Sequence, residues 1–178
     1  IKSNSVVAHV RQANRGRVAL ENTHPFTREL WGRYWTYAHN GQLKDYRNLP
    51  YSRFVPVGTT DSEQAFCYIL SELALKYPDG PRSRPEMFKF IKKLCDRLRQ
   101  QGVFNLLLSD GDYLFCYCST RLHYITRRAP FGQARLSDVD VDIDFAKETT
   151  PNDVVTVIAT LPLTNNETWQ AMRIGEAR

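Results

Sequence analysis

Histidine, asparagine and glycine follow one another at His39, Asn40 and Gly41, shortly after an aromatic-rich segment. That segment, Leu30 to Trp35, is typical of a buried strand, and Asn-Gly is the strongest short turn signal. The pattern therefore predicts a strand around 31–38 that ends in a tight turn at Asn40–Gly41. Side-chain and backbone N–H groups at such a strand end could stabilise a negative charge. A hairpin turn without chemical role is the simpler interpretation of this stretch alone.

Two charged residues stand at comparable positions. Arg11 leaves a predicted strand over residues 5–11, and Asp61 lies in the first turn of a predicted helix. A guanidinium group binds a carboxylate in bidentate fashion, and a carboxylate pairs with an ammonium group. With the N–H donors of Asn40 and Gly41, this set suits a zwitterionic amino acid whose side-chain amide is attacked. Taken singly, Arg11 could be a surface arginine, and Asp61 could merely favour the helix dipole.

The elements that would position these residues follow from local signals. Thr60 to Glu63 fits a capping box, in which the Glu63 side chain reaches back to the N-cap, and apolar residues then recur at helical spacing to Tyr77. A second capping box at Ser83 to Glu86 opens another helix, which Gly102 closes.

Most of the remaining sequence predicts strands. They are expected over 103–109, 113–119, 122–127 and 154–159, with a hairpin turn at Asp110–Gly111 between the first two. Strands, two adjacent helices and further strands predict an α+β fold with antiparallel sheet covered by helices. The length of 178 residues fits a single domain, 1–178.

Several classes of function find little support in the composition. The net charge of +5 is spread along the chain, and no basic block with interleaved aromatic residues indicates nucleic acid. No apolar run is long enough to span a membrane. Aspartates alternate with apolar residues over 138–145, which predicts a strand with a solvated acidic face rather than a metal site. We expect no metal and no cofactor.

Four cysteines lie in apolar surroundings, at positions 67, 95, 116 and 118. A lone Cys-x-Cys is a poor zinc signal. We expect all four to be reduced structural thiols in a cytoplasmic protein.

Four short motifs, in this order, resemble those of class II glutamine amidotransferases, which are N-terminal-nucleophile (Ntn) hydrolases; the stand-alone bacterial YafJ-like type is the most similar. The motifs are Ala8-His9-Val10-Arg11, Asn22-Thr23-His24-Pro25-Phe26, Ala38-His39-Asn40-Gly41 and Thr60-Asp61-Ser62-Glu63. The resemblance extends to 159–163 and Trp169, and so covers nearly the whole chain.

The resemblance implies a four-layer αββα sandwich and a role for each site residue. Arg11 would hold the substrate carboxylate, Asp61 the amino group, and Asn40 with Gly41 the oxyanion. Loop residues Gln12, Asn14 and Arg15 would line the glutamine pocket, although relatives often carry different residues there. Tyr37, His24 and His39 would support the site rather than do chemistry.

The family's nucleophile is a cysteine at the mature N-terminus, whose own α-amino group acts as the base. The sequence begins with Ile1, and no cysteine precedes Arg11. We therefore expect a further segment of several tens of residues, carrying that cysteine, before Ile1, so that the domain is N-terminally incomplete here.

Three functions remain open from the sequence. The first is hydrolysis of glutamine through a cysteine thioester, with an ammonia-accepting synthase partner if the ammonia is transferred. The second is hydrolysis of another γ-glutamyl amide or peptide by the same fold. The third is a catalytically inactive domain that binds glutamine.

Overall fold

The computed structural model describes residues 3–10, 19–147 and 149–178. The chain divides into two compact units, one formed by Ile1–Ser119 with Gly175–Arg178 and the other by Thr120–Ile174. Both contain antiparallel sheet, and the first also contains the two α-helices, so the α+β class predicted from the sequence is confirmed.

The sheet of the first unit has four antiparallel strands in the order β1-β2-β3-β4. A two-residue hairpin at Trp31–Gly32 joins β1 to β2, with φ angles of 59° and 73° that suit a primed turn. The predicted hairpin at Asp110–Gly111 is confirmed between β3 and β4. The strands are β1 Phe26–Leu30, β2 Arg33–Leu43, β3 Gly102–Ser109 and β4 Leu114–Tyr117.

The predicted turn at Asn40–Gly41 is wrong. Both residues lie inside β2, which continues to Leu43 and pairs with β3 through Asn40↔Asn105 and Gly41↔Phe104. The hairpin instead falls within the segment 30–35, which had been expected to be one strand. Pairing with β3 along the end of β2 outweighs the local preference of Asn-Gly for a turn.

Two helices cover this sheet, α1 at Asp61–Lys76 and α2 at Arg84–Leu98. Thr60 caps α1 as predicted, since its Oγ1 accepts a hydrogen bond from Glu63 N at 3.2 Å. The reciprocal half of this box is wrong, because the Glu63 carboxylate contacts Arg28 and the loop before the helix. The second capping box is also wrong, since Ser83 forms no side-chain cap among the described residues.

Aromatic and aliphatic side chains from both helices and all four strands form one continuous core in the first unit. Tyr37 of β2 stacks on Phe66 of α1, with ring centroids 4.8 Å apart. Because Tyr37 and His39 both face this core, Asn40 points to the opposite side of the sheet, where it is exposed. Along this part of β2, therefore, His39 is buried against the core whereas Asn40 reaches solvent.

The second unit contains a three-stranded antiparallel sheet in the order β8-β5-β9 and a separate hairpin of β6 and β7. The predicted acidic strand over 138–145 is largely wrong, because only 142–144 form a strand and Val139 is 50% exposed. The strands are β5 His123–Arg128, β6 Gln133–Arg135, β7 Asp142–Asp144, β8 Val154–Ala159 and β9 Gln170–Ala171.

Two further expectations concern a strand near the start of the chain and membrane-spanning helices. No strand is assigned over the described residues 3–10, so the strand predicted over 5–11 is not found in that part. None of the helices in the described ranges combines the length and the apolar composition that crossing a membrane requires.

Candidate functional site

The second half of β2 forms an edge that β1 does not cover. The ladder between β1 and β2 extends from Leu30↔Arg33 only as far as Phe26↔Tyr37. Beyond Tyr37, the described residues of β2 pair in the sheet with β3 alone. Alternate backbone N–H groups on the other side of β2 are therefore available to a side chain or a ligand.

The register of β2 directs the Gly41 N–H toward this open edge. Lys44 N donates to Gln101 O at 2.9 Å, so its N–H points toward β3, and the N–H groups of Leu43 and Gly41 point the other way by alternation. The carbonyl of Asn40 gives the same result, because it faces β3 and accepts a hydrogen bond from Asn105 Nδ2 at 3.3 Å. In a planar trans peptide the N–H lies opposite the C=O.

The Asp61 carboxylate lies on the same edge. Its Oδ2 accepts a hydrogen bond from Leu43 N at 2.7 Å, two residues along the strand from Gly41. Two residues of a strand span about 7 Å, which is close to the length of an amino acid with a three-carbon side chain. The structure therefore brings two of the predicted site groups, Asp61 and the Gly41 N–H, together.

Glycine is required at position 41 for two separate reasons. Its φ angle is 152°, and a Cβ at this position would lie 1.9 Å from the carbonyl oxygen of Val103 and 2.8 Å from His39 Nε2. Because β3 cannot move away without breaking the ladder, only glycine lets β2 approach this closely. The close approach holds the Asn40–Gly41 peptide in place.

His39 joins the strand to the helix that carries Asp61. Its ring is buried, with Nε2 3.0 Å from Val103 O and Nδ1 2.9 Å from Ser62 Oγ. A carbonyl can only accept, so Nε2 carries the proton and Nδ1 accepts from the Ser62 hydroxyl. Burial lowers the pKa of His39, which agrees with this neutral form. Both ring nitrogens are committed to structural hydrogen bonds, which favours a supporting role.

His24 lies beneath the segment that leads to Arg11. Its ring is 4.3 Å from that of His9 and is stacked 6.4 Å from Tyr37. His24 therefore contacts both His9, near the start of the chain, and Tyr37 on the core face of β2. The substrate-binding residues predicted next in the chain, Arg11, Gln12, Asn14 and Arg15, lie outside the described residues.

The structure adds residues that the sequence reasoning did not single out as part of a site. Glu63, 1% exposed, accepts hydrogen bonds from Arg28 Nη2 at 2.5 Å, Val57 N at 3.0 Å and Gly58 N at 2.6 Å, and so fixes the loop that enters α1. Ser62 and Asn105 orient groups of β2. Because Asn40 and Asn105 are separated by 65 positions in the sequence, no local sequence pattern predicts their contact.

All four cysteines are buried, and none of them forms a disulfide, as predicted. Burial raises the pKa of Cys67 and of Cys116 to about 11, and it also raises the pKa of Cys95 well above its usual value. A thiol of this kind is protonated and unreactive at neutral pH. Within the ranges that the structure describes, no three His, Cys, Asp or Glu side chains form a metal-binding group.

Comparison with known proteins agrees with the sequence motifs and this geometry. The whole chain, residues 1–178, matches the family of class II glutamine amidotransferases. The chain belongs to this family.

Its relatives include YafJ of Escherichia coli (strain K12), which is 67% identical over the whole chain, and the chain covers 70% of that protein. A Haemophilus influenzae relative is 46% identical over 98% of the chain, which spans 59% of it. The crystal structure of a predicted glutamine amidotransferase from Pseudomonas aeruginosa PA01 superposes with a TM-score of 0.83 at 56% identity, covering 95% of this chain and 66% of that one. This match supports the α+β sandwich that the resemblance implied.

Proposed function

We propose that the chain provides the glutamine-binding and oxyanion-stabilising part of an enzyme that hydrolyses the side-chain amide of glutamine. The observation that carries the proposal is the shared edge of β2. There the Gly41 N–H lies two residues along the strand from Leu43, whose N–H donates to the Asp61 carboxylate. A carboxylate and an N–H donor at this spacing suit the two ends of a glutamine molecule. Membership of the amidotransferase family supports the same substrate.

Each site residue then has a defined task. Asp61 holds the α-ammonium group of glutamine, and Arg11 holds its α-carboxylate in bidentate fashion. Gln12, Asn14 and Arg15 line the pocket around the substrate. Asn40 Nδ2 and the Gly41 N–H donate to the oxyanion that forms when the γ-carbonyl is attacked. His39 and His24 keep β2, α1 and the segment leading to Arg11 in register.

The nucleophile in this proposal is an N-terminal cysteine outside these 178 residues. Its thiol attacks the γ-carbonyl of glutamine while its α-amino group accepts the thiol proton and passes it to the departing ammonia. A γ-glutamyl thioester remains, and water then attacks it to release glutamate and regenerate the thiol. The buried, high-pKa thiols of the chain itself are unsuited to this task.

Transfer of the ammonia to an acceptor would need a synthase site beyond this chain, in the rest of the protein or in a partner. The chain spans 59–70% of the curated relatives described above, which leaves room for further elements in such proteins. The four cysteines, none of which forms a disulfide, favour a reducing compartment, and we propose the cytoplasm.

The test is an assay of the full-length protein for release of ammonia and glutamate from glutamine, beside γ-glutamyl dipeptides. Hydrolysis of glutamine with the higher kcat/KM supports the proposal, and a clear preference for dipeptides would instead indicate the γ-glutamyl hydrolase. Glutamine binding by calorimetry without any turnover would overturn the enzymatic proposal in favour of a binding domain.

A further inference from the structure

Asn105 is a buried amide that contacts the peptide carrying the proposed oxyanion donor. It lies on β3, is 2% exposed and stands directly opposite Asn40 in the ladder. Its Nδ2 donates to Asn40 O at 3.3 Å, and its Oδ1 accepts from Ser119 N at 2.9 Å. Because both ends of the amide are bonded, its two possible orientations are not equivalent, and Nδ2 is held toward Asn40.

The bond to Asn40 O acts on the Gly41 N–H through the peptide group that they share. A planar peptide with its oxygen held toward β3 keeps its N–H directed toward the open edge. A hydrogen bond accepted by the C=O also polarises the peptide and strengthens the N–H as a donor. Orientation and donor strength at Gly41 therefore both depend on a buried side chain of the neighbouring strand.

A cavity and an ion pair in the second unit have no comparable link to the proposed site. The cavity of about 310 Å³ lined by Ala129, Phe131 and Pro151 is largely apolar, and nothing in the structure indicates its occupant. The Arg127–Glu167 ion pair is fully used in bonds within the second unit. Asn105, by contrast, joins a buried side-chain amide directly to the peptide that has a proposed chemical task.

We propose that Asn105 is a positioning residue that holds and polarises the Asn40–Gly41 peptide as an oxyanion donor. The inference rests on the proposed function and specifies how that site is assembled. It predicts a selective effect, because an oxyanion develops in the transition state and not in the bound substrate. Loss of Asn105 should lower kcat and leave glutamine binding nearly unchanged.

The experiment uses Asn105→Ala in the full-length protein with glutamine as substrate. Loss of one hydrogen bond that acts on the transition state should lower kcat about 3- to 10-fold, with KM changed less than about twofold. The control is Asn166→Ala, since Asn166 also bridges two backbone groups, Arg135 N and Gln133 O, in the second unit. This control should keep the wild-type kcat.

A second readout separates positioning from general loosening of the fold. The aldehyde analogue of glutamine, which forms a tetrahedral adduct with a cysteine nucleophile, should bind Asn105→Ala about 3- to 10-fold more weakly, whereas glutamate should bind equally to both proteins. Equal losses for both ligands, or an unchanged kcat, would overturn the role of Asn105.

If Asn105→Ala does not fold, Asn105→Asp replaces it, because the carboxylate still accepts from Ser119 N but cannot donate to Asn40 O. Its kcat relative to wild type should rise as the pH is lowered and a proton restores the donor; a pH-independent ratio would contradict the inference. A wild-type protein that does not hydrolyse glutamine would instead refute the proposed function.

Discussion

At the scale of single residues, the proposed chemistry depends on which side chains and backbone groups of β2 can contact a small ligand. Asn40 is exposed on one face of β2, whereas its neighbour His39 is buried on the other. Both histidine nitrogens are bonded within the protein, so in the proposed function the groups at this edge that can contact the reacting amide are those of Asn40 and Gly41. Neither can act as nucleophile or base, which limits them to stabilising charge.

We predict that Asn40→Ala in the full-length protein lowers kcat for glutamine about 10²- to 10³-fold, the effect of removing one oxyanion donor. The KM should change little, because the neutral substrate amide needs this donor less than the oxyanion does. Steady-state kinetics are the measurement, with Asn152→Ala as an exposed asparagine control in a turn of the second unit. Near wild-type activity of Asn40→Ala would remove this residue from the mechanism.

At the scale of elements, three interactions hold β2, β3 and α1 in place around the open edge. Gly41 allows close contact with β3, His39 connects both strands to Ser62, and Asp61 accepts from the end of β2. The start of α1 is itself fixed by Thr60 and the buried Glu63. A change at any of these contacts should affect stability and activity together.

Gly41→Ala should destabilise the protein by about 1–3 kcal/mol or more, because its Cβ would overlap the Val103 carbonyl. Chemical denaturation measures the change in the free energy of unfolding. Gly111→Ala is the matched control, since its φ angle of 91° is also positive but a Cβ there meets no described atom within 4 Å. Equal losses for the two variants would show that backbone strain alone, and not the contact with β3, requires glycine at 41.

The buried His39 should make stability depend on pH. Burial lowers its pKa in the folded protein, whereas in the unfolded chain the pKa is about 6.5. Below pH 6.5 the unfolded chain therefore binds a proton that the folded protein resists. The stability that neutral His39 contributes is complete above pH 6.5 and is lost as the pH falls toward the lowered pKa of the folded protein.

The thermal midpoint should therefore fall between pH 7.5 and 5.5 by less in His39→Gln than in wild type. The control Asn166→Ala, a substitution in the second unit that removes no titratable group, should keep the wild-type dependence. Identical pH profiles for wild type and His39→Gln would show that His39 does not titrate in this way.

At the scale of the whole molecule, the cysteine thiols of the chain are buried and take no part in the proposed chemistry. All four cysteines are buried, and burial raises the pKa of three of them. The two compact units each have their own antiparallel sheet. The described residues of the proposed site, among them Asn40, Gly41 and Asp61, all belong to the first unit.

Iodoacetamide should therefore label these four cysteines slowly in the native protein and quickly in denaturant, as mass spectrometry of tryptic peptides would show. An N-terminal catalytic cysteine in the full-length protein should react fastest and should be protected by glutamine. Rapid native labelling of Cys67 or Cys116 would contradict their assignment as structural thiols.

The sequence by itself determined the elements whose signals are local. Thr60, the apolar stripe behind it and the proline after Tyr77 sufficed to place α1, and with it Asp61 at the first turn. The motif order also determined the family, because several short motifs together are far more specific than any one of them. The α+β class followed from the succession of strands and helices.

Only the tertiary structure decided what the Asn40–Gly41 peptide does. In a local window Asn-Gly favours a turn, but hydrogen bonds from a strand 65 positions away keep it extended within β2. The same register directs the Gly41 N–H to the open edge and places Asn105 behind it. Local sequence encodes the conformational preference of the backbone, whereas the pairing partner of a strand depends on contacts between distant residues. Those distant contacts decide where the Gly41 N–H points.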